Sequence, residues 1–491
     1  MTEKEKVVVI GAGFGGLSTA CFLADEDFEV EVIEKNREVG GRASVLEEEG
    51  FRFDMGPSWY LMPDIFDRFF EKFDREASDF YSLTRLDPNY SIFFKDGDRM
   101  DVPADPEEAA ELFETYEEGA GDAFRRYLEK SEETYEIGMN EFVLADRNDF
   151  KDYFSLDVLR NARGISLIKK MQGHVEEYFE SDKLQQVMQY TLVFLGGSPK
   201  NTPALYNLMS HVDFNMGVYY PDGGIYSVIE GIKELAEEKG VEFSTNEEVE
   251  KIDRVEGKNL VVTEKRTIEC DAVVSNADYA HTETELVPEE YTTHDEDYWD
   301  SRTYAPSAFL IYLGVDEDLD LEHHSLVLPE DWDPHFDKIF DDPAIPDDPA
   351  YYVCNPSATD DTVAPEGKSA MFILVPIAAE LELSEEERKE FRDTVIEDME
   401  SETGLEIEER IEYEKIFAGE EFKKRYNSYN GTALGIAHTL RQTSVFRPKQ
   451  RSKEMEGLYY TGQYTNPGIG MPMCLISGEH AAEKVTEDLE G

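Results

Sequence analysis

A short apolar strand that runs directly into a glycine-rich turn constrains this chain more than any other feature. The apolar run 7–10 leads into the pattern G-x-G-x-x-G over residues 11–16, and a second apolar run, 30–33, ends at Glu34. In such a pattern the first glycine permits a tight turn, the second lets backbone N–H groups approach a pyrophosphate, and the third lets the next helix pack close. The positive end of that helix faces the phosphates. The chain is therefore predicted to contain a Rossmann-like dinucleotide-binding unit.

Glu34 narrows the kind of dinucleotide. An acid at the end of the second strand accepts hydrogen bonds from an adenosine ribose and disfavours a 2′-phosphate. The glycines and this acid indicate an adenine dinucleotide without saying which one.

The charge of the chain is extreme for its length. Its 491 residues include 47 basic and 109 acidic ones, which gives a net charge of −62 and a pI near 4.3. The acids recur along almost the whole sequence, which indicates a solvated acidic surface. Their repulsion is screened at molar salt, where the Debye length falls to about 3 Å. We therefore expect a cytoplasmic protein of an extreme halophile, with no nucleic-acid partner.

The cysteines and histidines predict neither a disulfide framework nor a metal site. Cys21, Cys270, Cys354 and Cys474 lie far apart and read as thiols in a reducing compartment. The adjacent His323 and His324 are expected to be exposed in a loop rather than to bind a metal. We find no signal pattern at the N-terminus and no apolar run approaching 18 residues.

Apolar strands and helices with an apolar stripe occur again in two later parts of the chain. Pro221 to Gly224 opens a helix with an apolar stripe, and residues 271–277 form a buried strand. Residues 457–462 form a last strand before a C-terminal helix that starts near Pro472. The predicted fold class is α/β: a Rossmann-like cofactor domain of three discontinuous segments, a mixed-sheet substrate domain and a helical lid or membrane-associating region.

Four stretches without Asp or Glu stand out in so acidic a chain. They are 158–175, 183–212, 422–453 and 457–478. Burial explains the apolar ones, but stretches that carry Lys and Arg are seldom buried unpaired. We expect 158–175 and 183–212 to form a membrane-docking surface and the mouth of a tunnel. Within them, Leu167, Ile168 and Met171 are predicted to contact lipid.

These motifs, in this order, resemble the phytoene desaturase family of carotenoid desaturases, within the FAD-dependent amine-oxidase-like flavoenzymes. The resemblance rests on five segments: 7–42, 53–58, 220–249, 273–278 and 458–472. It departs from the wider group at Gln463, where an acid is common. The resemblance implies an FAD-binding domain of residues 1–95, 216–300 and 420–491. A substrate-binding domain would comprise 96–215 and 301–419, with 150–215 as the lid.

The resemblance also implies residues that hold FAD. The glycine turn would hold the pyrophosphate, Glu34 and Lys35 the adenosine side, and the C-terminal segment the isoalloxazine ring. The expected cofactor-binding residues are Gly11, Gly13, Phe14, Gly15, Gly16, Glu34, Lys35, Gly41, Arg42, Gly56, Pro57, Ser58, Val249, Gly462, Gln463, Gly470, Met471 and Pro472.

The implied reaction is the dehydrogenation of a C–C bond in a long isoprenoid chain by loss of a hydride and a proton. Candidates for the proton acceptor or for stabilising positive charge are Asp146, Arg147 and Asp149. Tyr426, Asn427, Tyr429 and His438 are expected to pack in the wall near the flavin. A quinone or oxygen is the expected electron acceptor, and the protein is expected on the inner face of the cell membrane.

Several alternatives remain open at this point. Within the family they are a carotenoid 3,4-desaturase, an isomerase and a saturase. An amine or porphyrinogen oxidase would share the fold. A non-catalytic escort protein for prenylated partners has a related fold, but the intact Glu34 and C-terminal segment argue against it. An NAD-linked dehydrogenase would leave the C-terminal motif without a role.

Overall fold

A five-stranded parallel sheet carries the glycine-rich turn. The computed structural model describes residues 4–145, 169–439 and 441–491. The sheet draws its strands from distant parts of the chain, in the order Leu458–Tyr460, Ala272–Ser275, Lys6–Ile10, Glu29–Ile33 and Glu242–Ser244. Near-continuous apolar runs are typical of parallel strands that are covered on both faces.

Both faces of this sheet are indeed covered. Val7 and Val9 pack against three helices, Phe14–Asp25, Ile225–Glu238 and Met471–Glu490. On the other face, Val8 and Ile10 pack towards a three-stranded antiparallel sheet, whose strands are Val249–Val255, Lys258–Thr263 and Thr267–Cys270.

The second large sheet of the fold is mixed and has seven strands. Its order is Ile411–Phe417, Ser307–Val315, Ser369–Ile377, Tyr351–Cys354, His324–Leu328, Tyr90–Phe94 and Arg99–Val102. The strand pairs are antiparallel except for the parallel pair of His324–Leu328 with Tyr90–Phe94. The predicted boundary at residue 95 assigns Tyr90–Phe94 to the cofactor domain, but the strand lies in this second sheet.

Helices cover the second sheet on both faces. Glu385–Thr403 packs on one face through Phe391 and Val395. The core on the other face includes residues of several helices and of the hairpin Val45–Glu48 and Phe51–Asp54. Among the described residues, the remaining α-helices of six or more residues are Pro63–Glu71, Pro106–Tyr116, Ala120–Gly138, Asp182–Val187, Asp333–Phe340 and Gly419–Tyr426. The short strand Leu83–Arg85 pairs with Tyr219–Pro221.

The first and last helices of the described chain cross at very short range. Ser18 Oγ donates to the carbonyl of Leu475 at 2.7 Å, and Thr19 Oγ1 donates to that of Gly478 at 3.2 Å. A Cβ atom at Gly478 would lie 2.6 Å from the Ser18 side chain and 2.7 Å from the Gly15 carbonyl oxygen. A glycine is therefore required where these helices cross.

No helix in the described parts of the chain is long and apolar enough to cross a bilayer.

The helix crossing gives a stability prediction. We expect Gly478→Ala to lower the free energy of unfolding by about 1–3 kcal/mol, because the methyl group overlaps a backbone oxygen that cannot move freely. Gly173→Ala is the matched control, since Gly173 is also helical and has nothing within 4 Å of its Cβ position. This control is expected to be neutral or stabilising by up to about 1 kcal/mol. Denaturant unfolding in molar KCl measures both, and an unchanged Gly478→Ala protein would contradict the prediction.

Candidate functional site

One large cavity lies at the carboxyl edge of the parallel sheet. Its volume is about 880 Å³, and it reaches from the glycine turn to the seven-stranded sheet. A residue soon after the end of each of the five parallel strands lines it; these residues are Gly11, Glu34, Glu247, Asn276 and Thr461. Ligands of open α/β sheets bind at this edge.

The glycine turn leaves its backbone open to the cavity. Gly11 has a φ of +91°, and a Cβ there would lie 3.2 Å from the backbone of Asn276 and Ala277. A Cβ at Gly16 would lie 2.1 Å from the Gly11 carbonyl oxygen. Gly11, Gly13, Phe14 and Gly15 line the cavity, whereas Gly16 packs behind them. This arrangement fits the pyrophosphate of a dinucleotide.

Glu34 links the glycine turn to the segment that follows the second strand. Its side chain is 5% exposed and accepts hydrogen bonds from the backbone N–H of Ala12 at 2.9 Å and of Asn36 at 2.8 Å. Lys35 beside it donates to Asn427 Oδ1 at 2.6 Å and pairs with Glu248 at 3.2 Å. Glu34, Lys35 and Val249 all line the same part of the cavity.

Arg42 and Ser58 lie between this part of the cavity and the C-terminal segment. Arg42 Nη2 donates to Ser428 Oγ at 3.2 Å, and it lies 3.8 Å from the buried carboxylate of Asp278. Arg42 Nε is buried without a hydrogen-bond partner among the described residues. Ser58 Oγ lies 2.9 Å from Tyr352 Oη. Arg42 and Ser58 thus bring a cation and a hydroxyl to the cavity, and Gly41, Gly56 and Pro57 line it as well.

The C-terminal segment brings unsatisfied donors to the cavity. Gln463 Nε2 and Asn466 Nδ2 are buried and have no hydrogen-bond partner in the described chain. Both residues line the cavity, as do Gly462 and Gly470 to Pro472 at the start of the last helix. Buried donors without partners call for an acceptor, and the carbonyl oxygens and ring nitrogens of a flavin supply one. The residues present therefore fit FAD.

Arg447 holds the C-terminal segment in place. Its position in the acid-free stretch 422–453 did not predict this role. Its guanidinium is 2% exposed and donates to four backbone carbonyls, among them Gln463 at 2.7 Å and Thr465 at 3.2 Å. Burial lowers its pKa to about 10. Other bases of this stretch pair with surface acids: Lys423 with Glu382 and Arg451 with Asp488.

One face of the seven-stranded sheet forms the apolar floor of the cavity. Register aligns Leu310 with Leu374, Leu374 with Tyr352, and Tyr352 with Leu326. All four side chains line the cavity, together with Ala308, Leu328 and Pro376 on the same face. The strands are buried on both faces, so they show no alternation of polar and apolar residues that would have revealed this floor.

The acid-free stretch 183–212 forms a wall of the same cavity. Its lining residues include Tyr190, Val193, Leu205, Tyr206, Leu208 and Val212. The structure thus places part of this stretch against the cavity, while the membrane-docking surface and the tunnel mouth stay predictions. Met171 is only 1% exposed and belongs to the main core, so the prediction that it contacts lipid is wrong. Leu167 and Ile168 lie outside the described residues.

The proton-acceptor candidates Asp146, Arg147 and Asp149 also lie outside the described residues. Of the side chains expected near the flavin, Tyr426, Asn427 and His438 line the cavity. His438 Nδ1 lies 2.9 Å from Tyr206 Oη, and its Nε2 accepts from the Ile469 N–H at 3.1 Å. Tyr429 instead donates to Asp300 at 2.7 Å.

The expectation that His323 and His324 are exposed is wrong. They are 5% and 0% exposed, and the His324 ring stacks on Trp59 with centroids 4.1 Å apart. Burial keeps both imidazoles neutral by lowering their pKa values. Together with Cys354 they offer ligand atoms within 4.8 Å of one another. The adjacent pair is buried because His324 begins a strand that is covered on both sides.

Comparisons with known proteins show the family of this chain and its cofactor. The profile of the flavin-containing amine oxidoreductase family matches residues 14–486, and this membership confirms FAD as the cofactor. Over 488 residues the chain is 60% identical to the carotenoid 3,4-desaturase of Haloarcula japonica, with 99% of each chain covered. It is 32% identical over 499 residues to the zeta-carotene-forming phytoene desaturase of Myxococcus xanthus, with 99% of this chain and 94% of that protein covered.

Solved structures show the same fold. An oxidoreductase from Methanosarcina mazei superposes with a TM-score of 0.63 at 18% identity, covering 97% of this chain and 100% of its own. The predicted mixed α/β fold is thereby confirmed. With a family match over nearly the whole length and identities of 60% and 32% to two desaturases, the chain belongs to the carotenoid desaturases of the flavin-containing amine oxidoreductase family.

Proposed function

We propose that this protein is an FAD-dependent carotenoid 3,4-desaturase, which removes a hydride and a proton across one C–C bond of a carotenoid. The observation that carries the proposal is the continuity of the cavity: its apolar floor and walls run directly into the cleft that fits FAD. A long isoprenoid chain requires such a floor, and hydride transfer requires that the chain reach the cofactor.

The sequence motifs and the similarity to known proteins favour different carotenoid substrates. The motifs favour phytoene first and 3,4-desaturation second. The 60% identity to a carotenoid 3,4-desaturase, against 32% to a phytoene desaturase, reverses this order. Desaturation of phytoene is the second candidate.

We propose the predicted cofactor residues as the FAD site. When bound, FAD supplies the hydride acceptor. The backbone of residues 11–15 would hold the pyrophosphate, Glu34 the adenosine ribose, and Gln463 and Asn466 the polar edge of the ring. The N-terminus of the helix Met471–Glu490 lines the cavity, where its partial positive charge stabilises an anion. The division into an FAD-binding domain (1–95, 216–300, 420–491) and a substrate domain remains part of this proposal.

The chain's own residues exclude water from the reacting carbons. The floor presents aliphatic side chains, and Trp59 and Tyr190 contribute aromatic rings to the cavity lining. Aromatic faces also stabilise the positive charge that develops when a hydride leaves a polyene. The site is thus suited to a hydrocarbon that loses a hydride.

We also propose that the substrate is taken from the inner face of the cell membrane, with the protein bound peripherally, and that a quinone or oxygen is the final electron acceptor. The lipophilic nature of carotenoids and the cavity wall formed by 183–212 support this location. The escort-protein alternative is disfavoured because the donors that fit FAD are all in place.

The proposed function is tested by expression in hosts that accumulate defined carotenoids, followed by separation of the pigments. We expect a new double bond at C3–C4 in a host that supplies a desaturated carotenoid, and unchanged phytoene in a host that accumulates only phytoene. Conversion of phytoene would instead establish the second candidate. No change in any carotenoid would contradict both.

A second prediction concerns the adenosine end. We expect Glu34→Gln to weaken FAD binding about tenfold, because it removes a charged acceptor of hydrogen bonds worth about 1.5–3 kcal/mol each. Glu29→Gln is the matched control on the same strand, since Glu29 is exposed and distant from the cavity lining. Flavin fluorescence titration of the apoprotein measures both, and equal affinities for the two variants would contradict the assignment of Glu34.

A further inference from the structure

A buried carboxyl group borders the substrate part of the cavity. Asp213 lies in the π-helix His211–Met216 and is 2% exposed. Its Oδ2 atom accepts hydrogen bonds from Tyr90 Oη at 2.8 Å and from Tyr190 Oη at 3.0 Å. Its Oδ1 atom has no hydrogen-bond partner among the described residues. Half of this carboxyl group is therefore unsatisfied, which is rare for a buried polar group.

Among the described residues, no cation forms an ion pair with Asp213. None of the ion pairs between described residues includes it. Burial raises its pKa to about 7, against the opposing effect of the two tyrosine donors. Near neutral pH this carboxyl group exchanges a proton readily, whereas an exposed aspartate stays ionised.

Tyr190 connects Asp213 to the cavity. Tyr190 lines the cavity, whereas Tyr90 is not among its lining residues. The Tyr190 ring lies 6.1 Å from that of Trp59, centroid to centroid. Trp59 directly follows Gly56 to Ser58, which we assign to the flavin end. The Tyr190 side chain therefore stands between the reacting part of the cavity and the carboxyl group.

We propose that Tyr190 and Asp213 together accept the proton that desaturation removes from the substrate. This inference rests on the proposed function. The C–H bond at the second carbon breaks, and its electron pair forms the new double bond with the carbon that has lost a hydride. The proton passes to Tyr190 Oη, while the original hydroxyl proton of Tyr190 passes to Asp213 Oδ2. The substrate then lacks one hydride and one proton, and Asp213 is neutral.

Several other titratable groups lie around Asp213. The helix packed against it carries Tyr127 and Tyr135, whose pKa values are raised by burial. His211, on its own helix, is kept neutral because burial lowers its pKa. Asp64 accepts a hydrogen bond from Tyr135 at 3.0 Å, and burial raises the pKa of this carboxyl group. Since a base must be ionised to accept a proton, activity should rise with pH through the pKa of Asp213.

Three variants of the holoprotein test the proposal, assayed on carotenoid in liposomes at molar salt. Asp213→Asn and Tyr190→Phe are each expected to lose about 100-fold or more in turnover at pH 9, the usual contribution of a positioned base. Tyr90→Phe is the matched control, because it removes one hydrogen bond to the same oxygen without changing the cavity lining. It should retain turnover at pH 9 within about threefold and shift the pH profile upwards, since the lost donor raises the pKa of Asp213.

The outcomes separate this inference from the proposed function. Flavin content and melting temperature report whether each variant folds, and if Asp213→Asn does not fold, the comparison of Tyr190→Phe with Tyr90→Phe decides. Turnover of Tyr190→Phe close to that of the wild type, or a wild-type profile that is flat around pH 7, would overturn the proton-accepting pair. A wild type that desaturates no carotenoid would instead overturn the proposed function.

Discussion

The close approach of the glycine turn to the C-terminal helix is the contact on which the rest of the structure depends. Ser18 and Leu475 are 457 residues apart in sequence and share a hydrogen bond of 2.7 Å. Gly478 has no room for a methyl group at this crossing, and a Cβ at Gly15 would lie 2.9 Å from the Asn276 side chain and 3.1 Å from the backbone of Gly462. Because the two ends of the chain meet here, the carboxyl edge of the parallel sheet and the N-terminus of the last helix face the same cleft. Neither end alone would bind FAD along its length.

The seven-stranded sheet contributes to the site because it lies beside that cleft. A row of side chains across four strands, from Leu310 to Leu326, supplies an apolar floor that continues from the cofactor site. The wall from 183 to 212 covers it. In so acidic a protein, three of the four stretches free of acids contribute residues to the lining of this cavity: 183–212, 422–453 and 457–478. The charge pattern therefore separates a solvated exterior from an interior suited to a lipophilic chain.

Much of the cofactor end could be predicted from sequence, because its glycines are demanded by local geometry. A tight turn, a close helix and an acid at a strand end have fixed spacing, so these residues predicted a dinucleotide-binding α/β unit. The resemblance of further segments to a known family then implied FAD, and both the fold and the cofactor are confirmed. The division into domains and the individual FAD contacts stay predictions. The substrate floor could not be predicted, because strands buried on both faces show no alternation. The predictions that His323 is exposed and that Met171 contacts lipid are wrong because segments distant in sequence bury these residues. The residues next to them in sequence give no sign of that burial.

The role of Asp213 had only a faint sequence signal: it is the first acid after the stretch 183–212. Its partners Tyr90 and Tyr190 come from separate parts of the chain, so only the fold brings them together. This is a general reason why a polar group that serves a lipophilic substrate is found from structure more readily than from motifs.

We propose that a carotenoid in the apolar cavity delivers its hydride to FAD where the two ends of the chain meet. Anaerobic mixing of the holoprotein with a carotenoid substrate tests it most directly, with flavin absorbance and pigment composition followed together. We expect the visible absorbance of the oxidised flavin to be lost and one new double bond to form for each flavin reduced. A desaturated product that forms while the flavin stays oxidised would contradict it.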